Sequence, residues 1–79
     1  MGINDTWFRY RGRSLDLNTE NKNGIYDGDQ NTLNRPYPSS GCLIVYASKY
    51  YVIQRYVTWD FKEYIRLGLE SVWQQISTK

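Results

Sequence analysis

Trp7-Phe8-Arg9-Tyr10-Arg11-Gly12-Arg13 is the stretch of this sequence whose residue types point most directly to a ligand. Guanidinium groups pair with phosphates and flat rings stack on bases, so cations alternating with aromatics suit single-stranded RNA or DNA. On an extended strand Trp7, Arg9 and Arg11 share one face, and Phe8 and Tyr10 turn inward. Arg13 lengthens that surface, and Lys49 and Arg55 are candidates to extend it further. The competing reading is a solvated strand whose arginines stack on neighbouring rings and blunt a sheet edge. The stretch lacks the Gly-rich pattern of the ribonucleoprotein sheet motif.

Other chemistry is thinly supplied. The sequence has no histidine and one cysteine, which removes imidazole bases, paired-cysteine metal sites and an internal disulfide. Ser39-Ser40-Gly41-Cys42 offers nucleophiles without an activating base. Asp27-Gly28-Asp29-Gln30-Asn31 opens like a calcium loop, but Thr32 stands where that loop needs glycine and Pro38 where it needs glutamate. The sequence is therefore read as non-enzymatic, with no catalytic residue, cofactor or metal.

The elements that must position these residues follow from periodicity. Residues 6–18 read as a hairpin turning at Gly12, because β-forming residues alternate with polar ones on both sides. Residues 19–41 read as a long loop rich in Asn, Gly and Pro, with Gly24-Ile25-Tyr26 as a candidate short strand inside it. Cys42–Ala47 and Tyr51–Val57 are apolar, β-branched and aromatic, and they read as a second hairpin spanning 42–58. Residues 60–77 read as a helix. Asp60 and Glu63 have capping-box spacing, and Phe61, Ile65, Leu69, Val72 and Ile76 fall in one helical sector.

Pairing Tyr46 with Tyr51 sorts the second hairpin into two faces. Leu43, Val45, Ala47, Tyr50, Val52, Gln54 and Tyr56 share one; Cys42, Ile44, Tyr46, Tyr51, Ile53, Arg55 and Val57 share the other. Neither is polar, yet a single helix covers only one. The second must meet the long loop, another copy of the chain, or a protein partner, since large apolar patches are rarely left exposed. The candidate interaction surface is Tyr46, Tyr51, Ile53 and Arg55, joined by Arg66 and Trp73 on the helix edge. That last pair reads either as a cation–π contact or as an exposed binding hot spot.

The predicted fold is α+β: one domain over 1–79, with about four antiparallel strands in two hairpins and a C-terminal helix on one face. The predicted core is Phe8, Leu15, Leu17, Leu43, Val45, Val52, Phe61, Ile65, Leu69, Val72 and Ile76. Aromatic residues are 16% of the 79 residues and net charge is +2. The charge is too small to argue for nucleic acid alone, and the aromatics favour contact surfaces. No stretch reads as a membrane span, and Met1–Thr6 does not read as a secretory signal. The function expected is a small protein-interaction module, accessory or regulatory, of bacterial or phage type and cytoplasmic, with a homodimer as one option. A small RNA or single-stranded DNA binder is the alternative.

Overall fold

A computed structural model of the chain describes residues 9–77. The strands are β1 (Tyr10–Arg13), β2 (Gly24–Gly28), β3 (Gly41–Ala47), β4 (Val52–Thr58), β5 (Glu63–Leu67) and β6 (Gln74–Ser77). They form one six-stranded sheet in sequence order. β1 and β2 are parallel, and every other neighbouring pair is antiparallel. One 3-10 turn, Leu17–Thr19, is the only helical element among the described residues.

This corrects the expected α+β fold. No helix forms over 60–77. Thr58 accepts from the Phe61 N–H at 3.2 Å and donates its own N–H to the Lys62 carbonyl at 2.8 Å, closing a tight turn. Asp60 accepts from the Thr58 hydroxyl at 2.5 Å inside that turn, so it does not cap a helix. β5 then pairs with β4, and Gly68, at φ 95°, turns the chain out of β5. Four of the five apolar residues at helical spacing are also weak helix formers: Phe, Ile and Val prefer strands. Pairing with β4 satisfies the backbone of this segment along a long ladder, and an isolated helix of that composition had no comparable reward.

The first predicted hairpin is also corrected. Gly12 makes no hairpin turn. At φ 96° it sits where the β1 register shifts, within a strand that runs parallel to β2. The segment after Arg13 leaves the sheet, crosses it through the 3-10 turn and returns as β2. The strand considered at Gly24–Tyr26 is real and extends to Gly28.

The second hairpin pairs Tyr46 with Ile53 instead of Tyr51. The difference is an even number of residues, so side-chain parity and the two faces are those expected. Val45 and Leu43 are fully buried with Tyr56 and Gln54, and Tyr26 and Tyr64 join them on the same face. What covers this face is the connecting chain. Leu17, fully buried, packs against Tyr26, Leu43, Val45 and Tyr56, with Trp73 against the same cluster. Thr32 donates its hydroxyl to the Ser14 carbonyl at 2.7 Å, which ties the 29–40 loop to the crossing segment.

Several expected core residues lie elsewhere. Leu15, Phe61 and Val72 are well exposed, as is Ile76. Ile65 and Leu69 are half-buried, and Phe8 lies outside the described residues. The covered side is instead unusually polar, with Ser14, Gln54, Thr58 and Arg66 buried among the rings.

Candidate interaction face

Among the described residues, no other element covers the opposite face of the sheet. Register alone assigns its side chains. One row runs Tyr10, Ile25, Ile44, Arg55, Ile65 and Gln74; the next carries Asp27, Cys42, Val57 and Glu63; a third carries Tyr46, Ile53 and Leu67. Seven of these are large and apolar or aromatic within the four central strands: Ile25, Ile44, Tyr46, Ile53, Val57, Ile65 and Leu67. Leu67 is 54% exposed, Tyr46 38% and Ile25 37%. Among the described residues no strand and no turn of helix lies across this face, because all six strands belong to the one sheet and the 3-10 turn packs on the other side.

Charge on the face is confined and matched. Arg55 is bonded to Glu63 on the adjacent strand through both Nε and Nη2. That bond, with a weaker one to the Tyr46 phenol, holds the Arg55 guanidinium above its ordinary pKa. The pair sits diagonally between Val57 and Ile65. It is satisfied within the chain, so covering this face leaves neither charge unpartnered.

Two shallow grooves meet at Ile53. One, of about 550 Å³, is lined by Ile53, Ile65, Leu67 and Val72. A smaller one of about 240 Å³ lies between Tyr46, Tyr51 and Ile53.

The structure thus brings together Tyr46, Ile53 and Arg55 of the predicted interaction surface. Tyr51 is exposed beside them in the β3–β4 turn. Arg66 and Trp73 belong to the covered side, which corrects their assignment to an exposed helix edge. Arg66 is 5% exposed and stacks over the Trp73 indole at 4.3 Å. Trp73 in turn meets Tyr56 edge-on, with ring centroids 6.5 Å apart. The expected contact exists, but the β5–β6 turn makes it. Sequence reasoning missed Ile25, Ile65, Leu67 and Glu63 as members of the open face. The alternation Glu63-Tyr64-Ile65-Arg66-Leu67 carried that signal, and helical spacing masked it.

The arginine-rich strand is largely engaged by its own chain. Arg13 pairs with Asp29 at 3.2 Å. Tyr10 donates to Asp27 at 2.6 Å, a bond that raises the phenol's pKa. Arg11 turns inward and donates to the Asn23 carbonyl at 2.5 Å. Arg9 is exposed. Trp7 lies outside the described residues. Arg55 sits three strands away from β1, about 14 Å at the usual strand spacing. Lys49 lies over the Tyr50 ring in the β3–β4 turn.

The calcium-like stretch is folded on itself. Asp29 Oδ1 accepts from the Asn31 N–H at 2.9 Å, and its other oxygen holds Arg13. Among the described residues no three His, Cys, Asp or Glu side chains are grouped to hold a metal ion, and no helix is long and apolar enough to cross a membrane.

No family model matches the chain, and neither a curated protein nor a solved structure matches it. The open sheet face is therefore the ground on which function must be argued.

Proposed function

We propose that this chain is a small, mostly β, non-enzymatic interaction module that works by presenting its open sheet face to protein. One observation carries the reading: seven large apolar or aromatic side chains line a sheet face that no described element crosses, around an ion pair already satisfied within the chain. A buried contact there gains the hydrophobic term without stranding a charge. The rings and the arginine are residue types favoured at protein interfaces. The lone thiol, Cys42, fits a reducing compartment, and the reading places the protein in the cytoplasm as an accessory or regulatory component of bacterial or phage type. The nucleic-acid alternative has less behind it, because Arg11, Arg13 and Tyr10 are bonded to the chain's own acceptors.

The test is capture of native complexes by the full chain and by the double variant Tyr46→Asp/Ile53→Asp, with circular dichroism to confirm that both remain β-folded. Loss of the captured species in the variant is expected. An unchanged set of captured species from a folded variant overturns the reading.

A further inference from the structure

The occupant of this face can be argued from its charge pattern. The central feature is a fixed dipole, Arg55 beside Glu63, set among Ile44, Val57 and Ile65. A flat apolar face carrying one cation and one anion side by side is best covered by the same pattern reversed. A two-fold related copy can supply that reversal, since every contact in such an interface is made twice with the roles exchanged. With the axis in the interface plane, crossing the midpoint of the pair at right angles to the line that joins them, each Arg55 lies opposite the other copy's Glu63. The four charges then alternate in sign, which is the arrangement in which a desolvated ionic group loses least.

The size of the face agrees. Six strands at ordinary spacings make a face about 24 Å across, about 24 Å long on the two central seven-residue strands and about 14–17 Å long on the other four. Standing side chains enlarge its accessible area, bringing it towards the roughly 800 Å² per partner of a standard stable interface. Two sheets packed on such faces would sit about 10 Å apart and form a sandwich core of Ile25, Ile44, Ile53 and Ile65 from each copy.

Resting on the interaction reading above, we propose that the partner is a second copy of this chain, packed sheet to sheet through the open face, with Arg55 and Glu63 as the reciprocal pair that fixes register.

The experiment uses the full chain at a series of concentrations, with molar mass measured by light scattering. The expected mass is twice the 9.4 kDa of one chain, falling to one on dilution. Two variants test register. Arg55→Glu leaves two negative charges at the centre and Glu63→Arg two positive ones. Each alone should be monomeric, and an equimolar mixture should restore the doubled mass as a mixed dimer. Wild-type dimers indifferent to both changes, or a mixture of folded variants that stays monomeric, overturn the proposal. Cys42, exposed on the same face, separates this failure from failure of the parent reading. Its maleimide reactivity should fall as concentration rises. A wild-type monomer with freely reactive Cys42 removes the second copy and leaves an open face for another protein. A wild-type monomer with unreactive Cys42 shows the face covered by the chain itself, and both readings fall.

Discussion

Arg66 donates from Nε to the Gln54 side-chain carbonyl at 2.7 Å, on the covered side of the sheet, where Gln54 is fully buried. The contact joins β4 and β5 side by side and links both to the crossing segment. Gln54 Nε2 donates to the Leu17 carbonyl at 2.6 Å and the Glu20 carbonyl at 3.0 Å. Arg66 also reaches Asn18 at 2.8 Å and the Ser71 carbonyl at 3.3 Å. Burial lowers the pKa of Arg66, and nearby Asp16 opposes that shift. A polar network of this kind takes the place of the missing helix: it fixes the connecting chain over the sheet.

Gln54→Leu should therefore be costly although it is apolar and of similar size. It leaves the Glu20 carbonyl and the Arg66 Nε donor unpaired and takes from the Leu17 carbonyl the shorter of its two bonds, and a loss of about 3 kcal/mol is expected. Urea unfolding measures it. A loss below about 1 kcal/mol, the ordinary net value of one hydrogen bond, would show that the network contributes little.

A turn position and the first residue of β3 should respond in opposite directions. Phe61 holds φ 71° while 72% exposed, a left-handed conformation that bulky side chains disfavour. Phe61→Asn should raise stability by up to about 1 kcal/mol, since asparagine tolerates this region. Gly41→Ala should lower it by about 1–3 kcal/mol, because a Cβ there would approach the Val57 carbonyl oxygen far inside contact distance. Thermal melts of the two variants give the signs directly. A destabilised Phe61→Asn would mean that the exposed ring makes a contact that matters.

Stability should fall at both ends of the pH scale. Asp16 is held below the ordinary carboxylate value by the Asn34 amide, the Asn18 N–H and Arg66; Asp60 is held down chiefly by the Thr58 hydroxyl. A carboxylate with a lowered folded pKa stabilises above its unfolded value near 4, and that contribution is lost as pH falls through the folded value. At the alkaline end, burial raises the pKa of Tyr56 and Tyr26. Their neutral forms favour the fold below an unfolded value near 10, and the benefit is lost as pH rises through the folded values. Denaturant midpoints against pH should show both limbs, with Asp16→Asn/Asp60→Asn flattening only the acid one.

Labelled single-stranded RNA and DNA should bind weakly, with a shallow salt dependence. Of Arg9, Arg11 and Arg13, only the exposed Arg9, just before β1, is without a described acceptor, and counterion release scales with the phosphates actually neutralised. Anisotropy titrations at about 50 mM and 200 mM salt measure this. Tight binding lost steeply between the two would return the Arg-aromatic strand to the centre of the function.

Some of the structure was legible in particular residues. Cys42–Ala47 and Tyr51–Val57 declared strands by β-branched and aromatic content, one residue off the observed bounds at Gly41, Tyr51 and Thr58, and period two sorted both faces correctly even though the register was off by two positions on one strand. Leu17, Leu43 and Val45 read as core and are core. Tyr46, Ile53 and Arg55 were placed together by that parity alone. Residues 60–77 misled because Phe61, Ile65, Leu69, Val72 and Ile76 match a helical period, and the same segment also alternates from Glu63 to Leu67. A local pattern compatible with both periods does not choose between them. Arg66 sharpened the error: a charged residue reads as surface, yet here it is buried by partners from β4, the 3-10 turn and the β5–β6 turn.

By itself the sequence determined which stretches favour strands, which side chains share a face in the central hairpin, and that two apolar faces compete for too little covering chain. Only the tertiary structure decided that β5 and β6 extend the sheet, that β1 runs parallel to β2, and that the crossing segment and loop cover one face and leave the other open. The physical reason is that strand pairing and burial are long-range. β5 is laddered along its length to β4 and over Glu63–Ile65 to β6, segments outside its own stretch of sequence, and that pairing outweighs a marginal helical preference.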